Sequence, residues 1–119
     1  MAPVLLEAFD KLGADLLTLD NVFRCRARMT LPRPELDENQ RIDNVHVDYQ
    51  VAHWVLIYYI NSTDGDTLIL DGDRIVERVT PKRGRVSLFD GKRLHTSTTP
   101  TLQTRMIVNT NIRHENLEV

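Results

Sequence analysis

Between residues 61 and 93 the sequence is broken by the turn-forming clusters STDGD, DGD, PKRG and DGK, with only short apolar runs such as TLIL and RVSLF between them. An isolated helix needs several turns to be stable, and no interval here is long enough to supply them. Asp-Gly steps instead favour the tight connections that join antiparallel strands. On either side the chain continues in the same manner. HWVLIYYIN is rich in β-branched and aromatic residues and too apolar for a solvent-facing edge, and TRMIVNTNI closes the series. Many short strands at close spacing predict a sandwich or barrel of antiparallel strands.

Only the start of the chain reads differently. In PVLLEAFDKLGADLL the apolar residues Leu5, Leu6, Phe9, Leu12, Leu16 and Leu17 recur at helical spacing, and Pro3 suits a first turn. The expected fold class is all-β with one N-terminal helix, in a single domain of 119 residues. The helix falls in 1–20, a strand in 21–31, a loop in 32–45, the barrel core in 46–112 and a polar tail in 113–119. The strand NVFRCRARMTL alternates Arg24, Arg26 and Arg28 with Cys25, Ala27 and Met29. That face fits an acidic substrate or a solvated sheet edge.

Fifteen basic and seventeen acidic residues leave a formal charge of -2, so charge gives no reason to expect nucleic acid or an anionic membrane as partner. The lone Cys25 cannot form an intramolecular disulfide and fits a reducing compartment. The start MAPVLLEAFDK lacks the pattern of a secretory signal, and no apolar run approaches a bilayer span. The expectation is a cytoplasmic protein.

The stretch VHVDYQ raises the question of chemistry. If it is a strand, His46 and Asp48 share a face, and polar groups turned inward need hydrogen bonds, water or a metal ion. A second histidine, His95, is expected in the turn and loop DGKRLHTSTTPTLQ that follows RVSLF, and Arg105 opens the strand RMIVNTNI. On that strand Arg105, Ile107, Asn109 and Asn111 share one face. Two histidines and a carboxylate are the ligand set of a non-haem Fe(II) facial triad, and zinc accepts the same groups. An inward arginine favours iron, because its planar fork pairs with a dicarboxylic co-substrate. His53 offers a rival set with His46 and Asp48, but a place at a strand end, in core or rim, suits it better. Taken alone, His46 and Asp48 also fit a buried hydrogen-bonded pair.

The order HxD, distal His and then Arg ten residues on resembles the Fe(II)/2-oxoglutarate-dependent oxygenases, and within them the prolyl-4-hydroxylase-like group, in a small phage or bacterial form. IYYIN after the HxD is similar to the IYYLN of the oxygen-sensing prolyl hydroxylases. DGDT at 64–67 stands where plant and algal relatives show GGET. Pro81, Gly84, Phe89 and His95 match the spacing P..G....F....H. The resemblance covers about residues 44–112 and implies a double-stranded β-helix, or jelly-roll barrel. It implies His46, Asp48 and His95 as catalytic iron ligands, and Arg105 with Tyr59 as binders of the distal carboxylate of 2-oxoglutarate. Fe(II), 2-oxoglutarate and O2, with ascorbate as accessory reductant, are the implied cofactors. The implied reaction hydroxylates a C–H bond of a peptide or small molecule, a peptidyl proline first among them, and releases succinate and CO2. The loop at 32–45 is the expected lid. The alternative is a non-catalytic cupin-like module binding a metal or a sugar. A zinc or iron hydrolase or isomerase on the same scaffold is a further one.

Overall fold

A computed structural model describes residues 21–113. The expected N-terminal helix, and the tail beyond Arg113 with His114, lie outside the described residues. Seven strands follow in order: β1 (Val22–Thr30), β2 (His53–Tyr59), β3 (Thr67–Asp71), β4 (Arg74–Val79), β5 (Val86–Asp90), β6 (Leu94–Ser97) and β7 (Arg105–Arg113). They form a four-stranded sheet ordered β1-β7-β2-β5 and a three-stranded sheet ordered β4-β3-β6. Every neighbouring pair is antiparallel.

Alternation explains how these segments fold. On β2 the odd positions His53, Val55, Ile57 and Tyr59 are buried while the even ones are more exposed, and on β7 the odd positions Arg105, Ile107, Asn109 and Asn111 turn inward in the same way. Val55, Ile57, Tyr59, Phe89 and Ile107 meet Ile69 and Val79 of the smaller sheet in one apolar core. Burial of a large apolar side chain contributes about 1.5–3 kcal/mol, so this cluster is what holds the two sheets together. On the outer face of the larger sheet Ile112 is fully buried against Val22, Trp54 and Leu56.

Two elements differ from the sequence reading, and both carry site residues. VHVDY is not a strand. Only His46 pairs there, in an isolated antiparallel bridge to His95, and Asp48 lies in a bend. The bridge at His46 does not extend into a ladder, so the alternation of VHVDY has no partner strand to fix it. Conversely, His95 lies within the short strand β6 rather than in a loop, because Leu94–Ser97 finds a ladder along β3.

The segment 32–45 is fastened to the molecule. Arg33 N donates to Pro100 O at 2.8 Å, Asp43 N to Ser97 O at 3.0 Å and Thr99 N to Arg41 O at 2.6 Å. Arg41 also reaches Thr99 O and the Asp64 carboxylate, each at 2.9 Å.

Candidate metal centre

His46, Asp48 and His95 come together although 47 positions separate the aspartate from the second histidine. Each offers one ligand atom, and the three atoms lie within 4.8 Å of one another. Three different supports set them there. β6 carries His95, a residue only 5% exposed whose ring packs edge-on against Phe89 at 5.0 Å. His46 is held by the bridge, in which each histidine's backbone N–H donates to the other's carbonyl at 3.0 Å. Asp48 is held from β7, where Asn111 Nδ2 donates to its Oδ2 at 3.0 Å and Asn109 Nδ2 approaches at 3.5 Å.

The tautomers follow from the neighbours. His46 Nδ1 lies 2.9 Å from Asn44 O, and His95 Nδ1 lies 3.1 Å from Arg93 O. A carbonyl only accepts, so Nδ1 carries the proton in both rings and Nε2 of each neutral imidazole is left with a lone pair. Both Nε2 atoms aim at Asp48 Oδ1, from 3.3 Å and 3.2 Å. Three acceptors facing one another repel unless a proton or a cation lies between them. Where His95 carries a proton on Nε2 as well, its hydrogen bond is the main influence that drives the Asp48 carboxyl far below its usual range. Burial opposes it, and Asn111 and Asn109 reinforce it. Asp48 is therefore an anion over the whole neutral range.

Two of the three donor separations also fit a metal ion by size, and the third is bounded by 4.8 Å. Bonds of about 2.1 Å place neighbouring ligand atoms about 3.0–3.4 Å apart in octahedral or tetrahedral geometry. The two histidine–aspartate separations of 3.3 Å and 3.2 Å match that span. The carbonyls that fix the Nδ1 protons are the kind of outer partner that orients ligating histidines.

Beside the trio lies a small cavity of about 40 Å³, lined by His46, His95, Thr67, Asn109, Arg105 and Arg28 among others. At about 10–15 Å³ for each water it has room for roughly three. Arg105 is only 5% exposed. Its Nη1 donates to Thr98 O at 2.7 Å and Gly65 O at 2.9 Å, and its Nη2 to Ser97 Oγ at 3.2 Å and Thr30 Oγ1 at 3.3 Å. No carboxylate forms an ion pair with it among the described residues. Burial pulls its pKa below the usual arginine value, partly offset by the more distant Asp43. Gly65 is required at this contact. It takes φ +96, and a Cβ there would meet Thr98 O at 3.0 Å and Arg105 Nη1 at 3.1 Å.

The other sequence candidates take different places. Tyr59 is fully buried in the core, and its hydroxyl pairs with Thr67 Oγ1 at 2.7 Å. It is thus Thr67 that reaches the cavity, with the tyrosine behind it. Burial raises the Tyr59 pKa. His53 lies apart from the trio, edge-on to Phe23 and Tyr49, with its ring so close to Gly91 that any side chain there would overlap it. Cys25 is exposed on β1. Thr67 carries no signal in the sequence as a cavity residue, and Arg28 belongs to the face that fits either an acidic substrate or a solvated edge. For Arg28 the alternation along NVFRCRARMTL was the available signal, but it needs the pairing of β1 with β7 to show which face turns inward.

The two antiparallel sheets meet across an apolar core with a small cavity beside it, an arrangement of the β-sandwich or jelly-roll kind. A cupin protein from Bacteroides fragilis is similar to this chain over 80% of its residues and 69% of its own, with a TM-score of 0.56 and 11% sequence identity. At that identity the likeness is one of fold. No protein-family model matches the chain, and no curated protein matches it either. No helix among the described residues is long and apolar enough to cross a membrane.

Proposed function

We propose that this protein is a cupin-type metal-binding protein that holds one divalent transition-metal ion through His46, Asp48 and His95. The observation that carries the reading is the orientation of both Nε2 lone pairs toward a single carboxylate oxygen, with each Nδ1 proton already bound elsewhere. Two imidazoles and one carboxylate suit Fe(II), Zn(II) or their neighbours and leave coordination positions open for a small molecule. The test is a Co(II) or Fe(II) titration under anaerobic conditions. The intact chain takes up one ion, and His95→Ala and Asp48→Ala each lose it. Equal uptake by the His95→Ala chain would overturn the ligand assignment.

A second reading is favoured by Arg105, a buried guanidinium on the same cavity with no counter-ion among the described residues. Its hydrogen bonds are all to neutral acceptors, and an incoming carboxylate that displaces the Ser97 and Thr30 hydroxyls from Nη2 would supply the missing charge partner. With the resemblance of HxD, IYYIN and the distal His and Arg to prolyl-4-hydroxylase-like enzymes, this supports an Fe(II)- and 2-oxoglutarate-dependent hydroxylase. A sugar-binding module has no use for such a cation. The metal would supply O2 activation, while Arg105 and Thr67 hold the diacid. A cavity of about 40 Å³ is smaller than that diacid, so the side chains around it must give way. The expected result is Fe(II)-dependent succinate formation from 2-oxoglutarate that is abolished in Arg105→Gln. Intact metal uptake without succinate would leave the metal-binding reading standing and exclude the oxygenase.

A further inference from the structure

β1 has an unusual inner face. Its register sets Arg24 opposite Asn111, Arg26 opposite Asn109 and Arg28 opposite Ile107 on β7. Residues directly opposite in an antiparallel pair share a face about 4.5–5.5 Å apart, so all three arginines stand on the side of the sheet that faces the trio. Arg24 is engaged, since its Nη1 donates to Tyr49 Oη at 2.7 Å and its guanidinium stacks 5.5 Å from that ring. Arg26 and Arg28 are exposed and make no hydrogen bond or ion pair among the described residues. Arg28 lines the same cavity as His46, His95 and Arg105, and among the described residues no carboxylate lines it. Of the neighbouring acids, Asp48 is taken up by the histidines and asparagines, and Asp43 accepts a hydrogen bond from Ser97 Oγ at 3.3 Å. A divalent ion in the trio would add further positive charge beside Arg26 and Arg28, which have no ion-pair partner among the described residues.

We propose that Arg28 and Arg26 recognise an anionic group, a carboxylate or a phosphate, on the molecule delivered to the metal centre. The proposal rests on the metal reading above, and it assigns the substrate class to β1 rather than to Arg105. Planar guanidinium forks on adjacent inward positions can grip an oxyanion from one side while the open metal positions take the rest of the molecule. Inward charge on a sheet edge also deters strand addition. That role asks only for charge, and it leaves anion binding indifferent to the identity of residue 28.

The experiment is calorimetric. The full chain is first titrated with Co(II) and then, loaded, with sodium succinate and separately with sodium phosphate at low ionic strength. Arg28→Gln, Arg26→Gln and Arg28→Lys are carried in parallel. At least one probe is expected to bind, and the preferred probe tells a carboxylate from a phosphate. Arg28→Gln should weaken binding about tenfold or more, the scale of one lost charge-assisted contact, and Arg26→Gln a few-fold. Arg28→Lys should retain part of the affinity, and Co(II) uptake should be unchanged throughout. Binding of neither probe, or equal binding by the Arg28→Gln and Arg26→Gln chains, overturns the proposal. Failure to take up Co(II) is seen before any anion is added and counts against the metal reading alone. Anion binding to the unloaded chain that falls in Arg28→Gln then still supports the role of β1, and its absence overturns it.

Discussion

Asp48 shows how much a single carboxylate depends on what stands behind it. One oxygen faces both imidazoles, while the other is held by Asn111, which is only 2% exposed. A ligand oriented in this way binds more tightly than a free one, and loss of such an outer partner typically costs 10- to 100-fold in metal affinity. Asn111→Ala is therefore expected to weaken cation binding by about that factor while the trio itself is intact, read by competition with a chromophoric chelator. Unchanged affinity would mean that Asn111 is only a core residue. The sequence pattern placed Asn109 and Asn111 on the inner face of their strand. It gave no sign that they meet Asp48, because that contact is made across more than sixty positions.

Between elements, Asp64 is the joint that the short STDGD turn contributes. Its carboxylate accepts from Arg41 Nη2 of the 32–45 segment at 2.9 Å, from Thr101 N and Oγ1 at 2.9 Å and 2.6 Å, and from Leu102 N at 3.1 Å. Burial pushes its pKa up, but the hydrogen bonds from Thr101 and Leu102 and the charge of Arg41 outweigh it, so the net shift is downward. The folded chain then binds fewer protons here than the unfolded one. The stabilisation is complete above the unfolded carboxylate pKa of about 3.9 and is lost as pH falls through the lower folded value. Asp64→Ala should lose about 1–2 kcal/mol at pH 7, with less of a deficit in strong acid, as measured by urea unfolding across pH. The strands themselves were legible because alternation and Asp-Gly turns are local signals. LHTS is short and polar, so its sequence alone fits a loop, and only its pairing with β3 makes it a strand. His46 and Asp48 were read onto a strand that does not form, yet they meet His95 because the histidine bridge replaces the strand.

For the whole molecule, the trio draws on both layers: His95 belongs to the three-stranded sheet, and the asparagines that steady Asp48 belong to the four-stranded one. A cation held there ties the layers together near the cavity, in addition to the apolar core. Binding only to the folded state should raise Tm on the order of 10 °C at about 100-fold excess over Kd. A chelator should reverse the rise, and His95→Ala should not show it; a Tm that ignores metal would separate the site from the fold. The paired amide bonds between His46 and His95 carry a kinetic consequence as well. On the metal reading proposed above, the main chain already sets these two donors side by side, so loading would require little reordering of the polypeptide. The pace of capture should then follow how readily each hydrated ion sheds its water, so that nickel enters far more slowly than zinc.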